Sequence, residues 1–134
     1  MTAVFLEARR AALPYLPDLH TEADVLGWMA AVVIRESQVI LAVSGENRVA
    51  GFASLRSGHL DHLYVAPAAQ GRGIGDRLLA AAKAASPEGL QLCVFQRNLR
   101  ARAFYERRGF RLRELRDGSQ NEENQPDAVY DWRP

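Results

Sequence analysis

The chain has 134 residues, of which 48% are hydrophobic and 25% are charged, and it carries 17 basic against 16 acidic side chains. This length is enough for one domain, residues 1–134, that folds without disulfides or structural metals. The balanced charge gives no overall field that would favour nucleic acid. No apolar stretch reaches the roughly 20 residues that span a bilayer, and residues 1–20 lack the apolar core of a secretory signal. We therefore expect a protein of the reducing cytoplasm that does not contact a membrane.

The first part of the sequence predicts two helices. Residues 3–13 are rich in Ala, Leu and Arg, and Pro14 ends this first helix. Residues 21–36 open with Thr-Glu-Ala-Asp, which resembles a capping box, and continue with apolar residues at helical spacing.

Three short strands are predicted next. Residues 39–43 and 49–56 are apolar runs joined by a turn-rich linker, and Ser57-Gly58 leads into a third strand over 59–65, so the three strands meander antiparallel. Strict alternation along the third strand predicts two faces. One face carries His59, Asp61, Leu63 and Val65, and the other carries Leu60, His62 and Tyr64.

A glycine-rich turn, Gln70-Gly-Arg-Gly-Ile-Gly75, follows the third strand. Its three glycines allow tight turning and bring backbone N–H groups close to a ligand. The next residues predict a helix to Ala85, so these N–H groups lie at a helix N-terminus, where a phosphate is favoured. The dinucleotide fingerprint does not fit because Asp76 and Leu78 stand where it needs glycine, and the nucleoside-triphosphate loop does not fit because no Gly-Lys-Ser/Thr occurs.

The rest of the chain predicts a strand, a helix and two more strands. Residues 90–95 are so apolar that helices should cover both faces of that strand. Cys93 within it should be a buried structural thiol, and it has no partner for a disulfide or a zinc site. Together with the preceding helix, this strand predicts a parallel right-handed crossover. Asn98 predicts the cap of a helix that runs to Arg108, with Gly109 just after it, and 110–115 and 128–132 are the last strands.

Two segments of the chain resemble the GNAT N-acetyltransferase superfamily. The glycine turn matches the family's acetyl-CoA pyrophosphate loop, Gln/Arg-x-x-Gly-x-Gly/Ala, and Asn98, Ala103-Phe104-Tyr105 and Gly109-Phe110 match its second signature. The resemblance covers residues 38–134. It implies an α/β domain with a GNAT-like mixed sheet, in which an antiparallel meander is followed by a parallel crossover, and with helices on both faces.

The resemblance also implies a first strand, for which residues 1–6 leave little room. We therefore expect this strand to be short or missing. An uncovered sheet edge invites pairing with another chain, which would make a homodimer.

The activity that the resemblance implies is transfer of an acetyl group from acetyl-CoA to a primary amine, on a small molecule or a peptide, in a direct ternary complex. The backbone of Leu63, Tyr64 and Val65 would bind the acetyl and pantetheine portion. Backbone N–H groups would hold the pyrophosphate, from Gln70, Gly71, Arg72, Gly73, Ile74, Gly75 and Asp76. Asn98 would contact the pantetheine arm, and Tyr105 would be the general acid that returns a proton to the coenzyme A thiolate.

For the general base, Asp61 is the first choice and His59 the second, because family members with a base on this strand carry it there. Structural alternatives stay open for each assignment. For the bases, His59 would only flank a turn and Asp61 would pair with an arginine. Phe104 and Tyr105 would be core aromatics. The glycine segment would be an ordinary strand-to-helix turn.

Two rival functions follow from the same sequence. One is a noncatalytic acyl-CoA-binding or sensing module, which would keep the loop without transfer. The other is nucleic-acid binding through the eight arginines between Arg97 and Arg116, which would otherwise form a solvated helix and strand face. Arginines 72, 77 and 102 are alternatively candidates for the coenzyme's phosphates.

Five acids and no base lie in the segment 117–131: Asp117, Glu122, Glu123, Asp127 and Asp131. This segment predicts either an acidic lid that attracts a cationic amine or a solvated loop.

Overall fold

The structure is a computed structural model that describes residues 2–12, 37–43, 45 and 48–134. The predicted helix over 21–36 lies outside the described residues. In chain order the elements are α1 (Thr2–Ala12), β1 (Gln38–Val43), β2 (Val49–Arg56), β3 (His59–Val65), a 3-10 turn (Pro67–Ala69), α2 (Ile74–Ala85), β4 (Leu90–Phe95), α3 (Leu99–Arg107), β5 (Arg111–Arg116) and β6 (Asp127–Trp132).

The strands form one mixed sheet in the order β1-β2-β3-β4-β6-β5. β1, β2 and β3 pair antiparallel, β3 and β4 pair parallel, and β6 inserts between β4 and β5. The predicted meander, the parallel crossover through α2 and the two final strands are therefore confirmed. Within the described residues no strand precedes β1, which forms one edge of the sheet.

Helices pack on both faces of the sheet, as predicted. On one face Leu78, Leu79 and Ala82 of α2 join the main core with apolar side chains of β2, β3, β4 and β6. On the other face Val4 of α1 packs on Phe52 of β2. Consecutive residues of β2 thus serve the two cores, which follows from the alternation of side chains along a strand.

A β-bulge at Asp61 makes the prediction of strict alternation on β3 wrong. Ser54 pairs with His62 but Leu55 pairs with Leu60, so Asp61 has no partner on β2. Because two residues of β3 then oppose one of β2, the phase of the strand shifts. Leu60 consequently joins the main core, as Leu63 does.

β3 and β4 diverge after a single parallel bridge between His59 and Gln91. β4 instead pairs along its whole length with β6. This gap overturns the prediction that both faces of β4 are covered and that Cys93 is buried: Cys93 is exposed. The run of apolar residues predicted the strand correctly, but apolarity does not reveal that a neighbouring strand departs.

Candidate functional site

The gap between β3 and β4 opens into a cleft of about 800 Å³. Twelve of the residues that the sequence assigned to the site line this cleft: Asp61, Leu63, Tyr64, Val65, Gln70, Gly71, Gly73, Ile74, Gly75, Asp76, Asn98 and Tyr105. His59 and Arg72 are not among its lining residues. The fold therefore brings together segments that lie up to about 45 residues apart in the chain.

The glycine turn leaves a row of backbone donors facing open space. Gly71 and Gly73 have φ values of 81° and 76°, a region that favours glycine, and a Cβ on either would meet no other atom within 4 Å. Gly73 is the N-cap of α2, and no side chain among the described residues caps this helix. Within the described residues, the N–H groups of residues 71–76 donate to no protein acceptor. Unpaired donors at a helix N-terminus form a site for an anion such as a phosphate.

The third glycine of the turn has a packing role in addition to the predicted one. Gly75 lies inside α2, and a Cβ there would sit 3.3 Å from Cε1 of Phe104. Its lack of a side chain therefore permits close packing of α2 on α3, whereas Gly71 and Gly73 shape the turn. The sequence pattern could not separate these two needs because both are met by glycine.

Arg108 is a cation that lines the cleft beside the glycine turn. Its Nε donates to Asp76 Oδ1, its Nη1 donates to the Phe104 carbonyl at 2.9 Å, and its guanidinium stacks 3.8 Å from the Phe104 ring centroid. The hydrogen bond from Arg108 lowers the pKa of the Asp76 carboxyl. The C-terminal end of α3 is thereby joined to the N-terminal end of α2.

The arginines that the sequence proposed for phosphates take other positions. The cleft is lined by Arg100, Arg108 and Arg116, and not by residues 72, 77 or 102. Arg77 donates to the carbonyl of residue 72 at 3.1 Å. Arg102 donates to Tyr130 Oη at 3.0 Å and so braces α3 against β6. Helical spacing alone could not show which arginines face the cleft.

Tyr105 is both a core aromatic and a cleft residue. Its side chain contacts the rings of Phe104 and Phe110 edge to face, with centroids 5.1 and 5.4 Å away, and the residue is 7% exposed. Burial raises the pKa of Tyr105 well above 10, so the hydroxyl keeps its proton. The same helix begins at Asn98, whose Oδ1 accepts a hydrogen bond from the Ala101 N–H at 3.2 Å, as the predicted cap requires.

Asp61 borders the cleft but is held by two partners. Arg56 Nε donates to Oδ2 and His59 Nδ1 donates to Oδ1, each at 2.9 Å. The alternative in which Asp61 pairs with an arginine is thus observed. His59 does not line the cleft but contacts Asp61, which does.

His62 is a cleft residue that the sequence did not single out. Its Nδ1 lies 2.8 Å from the fully buried Ser54 Oγ, and Phe5 of α1 packs edge-on against its ring. Burial lowers the pKa of His62 to about 4, so the ring is neutral at pH 7. The candidate bases His59 and Asp61 belong to the other predicted face of β3, whereas the cleft is bordered by residues of both faces.

The opposite wall of the cleft is built around a buried ion pair. Arg116 donates to Asp127 through Nε at 2.7 Å and through Nη2 at 2.5 Å, and Asp127 is 5% exposed. Nη2 of Arg116 also lies 3.5 Å from Cys93 Sγ. Partial desolvation raises the pKa of the Cys93 thiol.

The acids of segment 117–131 are largely paired, which argues against the predicted acidic lid. Asp127 pairs with Arg116, Asp131 pairs with Arg113 at 3.0 Å, and Glu123 pairs with Arg9 at 3.1 Å. Their partners lie in other parts of the chain. The composition of the segment alone therefore suggested more negative charge than the folded protein has there.

Two further classes of site were sought among the residues that the structure describes. No group of three or more His, Cys, Asp or Glu side chains is placed to hold a metal ion. No helix in the same residues is long and apolar enough to cross a membrane.

The family model of the acetyltransferase (GNAT) domain matches residues 31–112, more than half of the chain. The chain belongs to the GNAT family. GNAT proteins are N-acetyltransferases that use acetyl-CoA, so the predicted family, enzyme class and acyl donor are confirmed at that level.

Known proteins similar to this chain include peptidyl-lysine N-acetyltransferases. The GNAT chain is 34% identical over 77 residues to the peptidyl-lysine N-acetyltransferase YjaB of Salmonella typhimurium, in a match that covers 58% of this chain and 52%, about half, of that relative. It is 29% identical over 140 residues to the peptidyl-lysine N-acetyltransferase YiaC of Escherichia coli, with 94% of each chain covered. The solution structure of apo YjaB from Escherichia coli has a TM-score of 0.79 at 23% identity and covers 98% of this chain and 88% of that one.

Proposed function

We propose that this GNAT domain transfers an acetyl group from acetyl-CoA to a primary amine, with the side chain of a peptide lysine as the favoured acceptor. One observation carries the proposal: the cleft between β3 and β4 is lined by both the open turn of Gly71 and Gly73 and the buried Tyr105. An anion site and a proton donor in one cavity are what a thioester of a phosphorylated coenzyme requires. The names of the two curated relatives support lysine as the acceptor.

The coenzyme would occupy the cleft with its pyrophosphate at the glycine turn. The N–H groups of residues 71–76 and the guanidinium of Arg108 supply the donors there. The pantetheine arm would follow β3 between Leu63 and Val65, where one edge pairs with β2 and the other is left open by the departure of β4. An extended arm can bond such an edge as an added strand does. Asn98 lines the same cleft.

In the reaction the amine nitrogen attacks the thioester carbonyl carbon, the C–S bond breaks and coenzyme A leaves as a thiolate. Tyr105 gives the thiolate its proton, because Tyr105 lines the cleft and its hydroxyl stays protonated at neutral pH, and the tyrosinate that forms regains a proton from solvent. The attacking amine must lose a proton. Asp61 is the proposed acceptor, and it acts through a water because Arg56 and His59 already hold both carboxylate oxygens.

Direct transfer is favoured over a covalent relay through Cys93. The thiol does border the cleft, so its position does not exclude a relay. Its raised pKa leaves little thiolate at neutral pH, and the thiolate is the nucleophile. A ternary complex needs only that the cleft hold both reactants together.

Coenzyme A release tests the function. We expect release with N-terminally blocked lysine peptides and acetyl-CoA, and initial-rate lines that intersect when both substrates are varied. Parallel lines would instead indicate an acetyl-cysteine relay. Tight acetyl-CoA binding without release across a panel of lysine peptides, free N-terminal peptides and polyamines would identify a noncatalytic binding module.

Asp61→Asn tests the proposed base. We expect kcat to fall roughly tenfold, which is less than the usual 10²–10⁴ for a positioned base because Asp61 acts through water. Asp131→Asn is the matched control, since Asp131 is also paired with an arginine but does not line the cleft. If Asp61→Asn turned over substrate as fast as this control, Asp61 would be no more than an ion-pair partner of Arg56.

A further inference from the structure

The first turn of α2 carries an acidic side chain inside the site proposed for an anion. Asp76 is the third residue of this helix, which begins at Ile74, and it lines the cleft together with Gly71 and Gly73. A carboxylate in the first turn stabilises a helix through the helix dipole. The same carboxylate should repel a pyrophosphate bound at the same helix end, because their charges have the same sign. Asp76 acting alone should therefore weaken the binding of acetyl-CoA.

Asp76 is paired with Arg108, which also lines the cleft. Arg108 Nε donates to Asp76 Oδ1, and Arg108 Nη1 donates to the Phe104 carbonyl at 2.9 Å. The guanidinium also stacks 3.8 Å from the Phe104 ring centroid, and the Arg108 carbonyl accepts from Lys83 Nζ at 2.8 Å. The backbone and the side chain of Arg108 are thus both held in place, and the contact with Asp76 joins the guanidinium to the N-terminal end of α2.

The guanidinium of Arg108 keeps donors for a ligand. An arginine side chain has five N–H groups, and the hydrogen bonds to Asp76 and Phe104 use one at Nε and one at Nη1. In the part of the chain that the structure describes, the second N–H of Nη1 and both N–H groups of Nη2 have no protein acceptor. The Arg108 side chain is 27% exposed, so it is open to a ligand in the cleft that it lines. Phosphate oxygens are acceptors that match such a guanidinium.

We propose that Asp76 is a positioning residue for the acyl donor: it holds the Arg108 guanidinium beside the glycine turn, where the three remaining N–H groups bind phosphate oxygens of acetyl-CoA. The Asp76 carboxylate itself does not contact the coenzyme. The inference rests on the proposed function, which places the pyrophosphate at that turn. A free arginine side chain loses conformational freedom when a ligand orders it. Because Asp76 and Phe104 already order Arg108, this cost of binding acetyl-CoA is reduced.

The pairing reverses the expected effect of removing the acid. Asp76→Asn removes a negative charge from an anion site, so repulsion alone predicts tighter binding of acetyl-CoA. If the carboxylate positions Arg108, the same substitution weakens binding instead. In an Arg108→Gln background the carboxylate has no guanidinium to hold, and Asp76→Asn should then tighten binding. The direction of the effect in the two backgrounds therefore identifies what Asp76 does.

The test is calorimetric titration of acetyl-CoA into the wild type, Asp76→Asn, Arg108→Gln and the double variant. We expect Kd to rise about threefold in Asp76→Asn, the size of effect that a partly exposed ion pair has. Kd should rise about tenfold in Arg108→Gln, which loses the charge-assisted bonds to phosphate as well, and Kd of the double variant should lie below that of Arg108→Gln. Asp131→Asn is the matched control, because it changes the net charge equally and breaks the pair with Arg113 outside the cleft. Its Kd should equal that of the wild type.

Steady-state kinetics and thermal unfolding separate positioning from a purely structural role. With a lysine peptide as acceptor, KM for acetyl-CoA should follow Kd in each variant. The kcat at saturating acetyl-CoA should keep its wild-type value, because the lost contact lies at the phosphates and contributes equally to the ground state and the transition state. If the pair only fastened α2 to α3, the variants would lose thermal stability and Asp76→Asn would act in the same direction in both backgrounds.

Unchanged or tighter binding of acetyl-CoA by Asp76→Asn would overturn the inference. Equal weakening by Asp76→Asn in the Arg108→Gln background would overturn it as well, since Asp76 would then act without Arg108. No binding of acetyl-CoA by the wild type would overturn the proposed function together with the inference. Binding without release of coenzyme A would count against acetyl transfer alone, because the calorimetric test of Asp76 needs no acceptor.

Discussion

Gly73→Val is expected to abolish acetyl-CoA binding in a chain that remains folded. A Cβ at Gly73 would meet no other atom within 4 Å, and in the described part of the chain the N–H groups of residues 71–76 donate to no protein acceptor. A valine side chain would fill the space that the pyrophosphate must occupy. The φ of 76° adds backbone strain on the order of 1–2 kcal/mol, which is small beside the roughly 5–15 kcal/mol that stabilises a typical domain.

Calorimetric titration of acetyl-CoA is the measurement, with thermal unfolding to show that the variant is folded. Gly45→Val is the matched control, because Gly45 also has open space around its missing Cβ but does not line the cleft. Gly73→Asn separates strain from obstruction, since asparagine tolerates a positive φ better than valine yet still adds a side chain. Wild-type affinity in Gly73→Val would mean that the turn does not hold the pyrophosphate.

Features that depend on a few consecutive residues could be predicted from the sequence. The strand Leu90–Phe95 has the predicted bounds because its apolar run is short and ends in turn residues. Asn98 caps α3, and Gly109 follows that helix with a φ of 89°, because both roles are set by local backbone geometry. The glycine turn was identified for the same reason.

Features that depend on distant parts of the chain could not be predicted from the sequence. Cys93 is exposed because β4 leaves β3 and pairs with β6, an event that the residues of β4 do not encode locally. His62 borders the cleft for the same reason. Gly75 matters to Phe104, 29 positions later, and Glu123 finds its partner 114 positions earlier in Arg9. Such pairings are decided by the tertiary fold. The composition of segment 117–131 therefore suggested a negative charge that arginines from other parts of the chain largely neutralise.

The position of the site follows from where the sheet is incomplete. A parallel pair that continued past His59 and Gln91 would have bonded the inner edge of β3 to β4 and left no room for a ligand. β6 pairs with the opposite edge of β4, so the divergence leaves open the edges of β3 and β4 that face each other across the cleft. The main core on the α2 face holds both sides together, with Leu60 from β3 and Leu92 from β4 in the same cluster. The cleft is therefore supported by packed elements and does not depend on a flexible loop.

Tyr105→Phe is expected to lower kcat by about 10²-fold, the low end for general acid catalysis, while acetyl-CoA binds nearly as tightly as before. Phenylalanine keeps the ring contacts with Phe104 and Phe110 and removes only the hydroxyl. Because burial raises the pKa of Tyr105, the wild-type acid should stay protonated through pH 10, so any loss of kcat between pH 7 and 10 should have the same profile in both proteins. Steady-state kinetics across that range, with calorimetry for the coenzyme, make the measurement.

Tyr130→Phe is the matched control for this change. Tyr130 is fully buried, its hydroxyl donates to Glu106 at 2.6 Å and accepts from Arg102 at 3.0 Å, and it does not line the cleft. Its loss should reduce stability by about 1–3 kcal/mol, as expected for hydrogen bonds to charged groups, and leave kcat unchanged. Loss of kcat in Tyr105→Phe alone would assign the hydroxyl to the reaction, because both variants lose the same atom from a buried tyrosine. Equal turnover in wild type and Tyr105→Phe would mean that Tyr105 has only a packing role in the core. The thiolate would then have to take its proton from water.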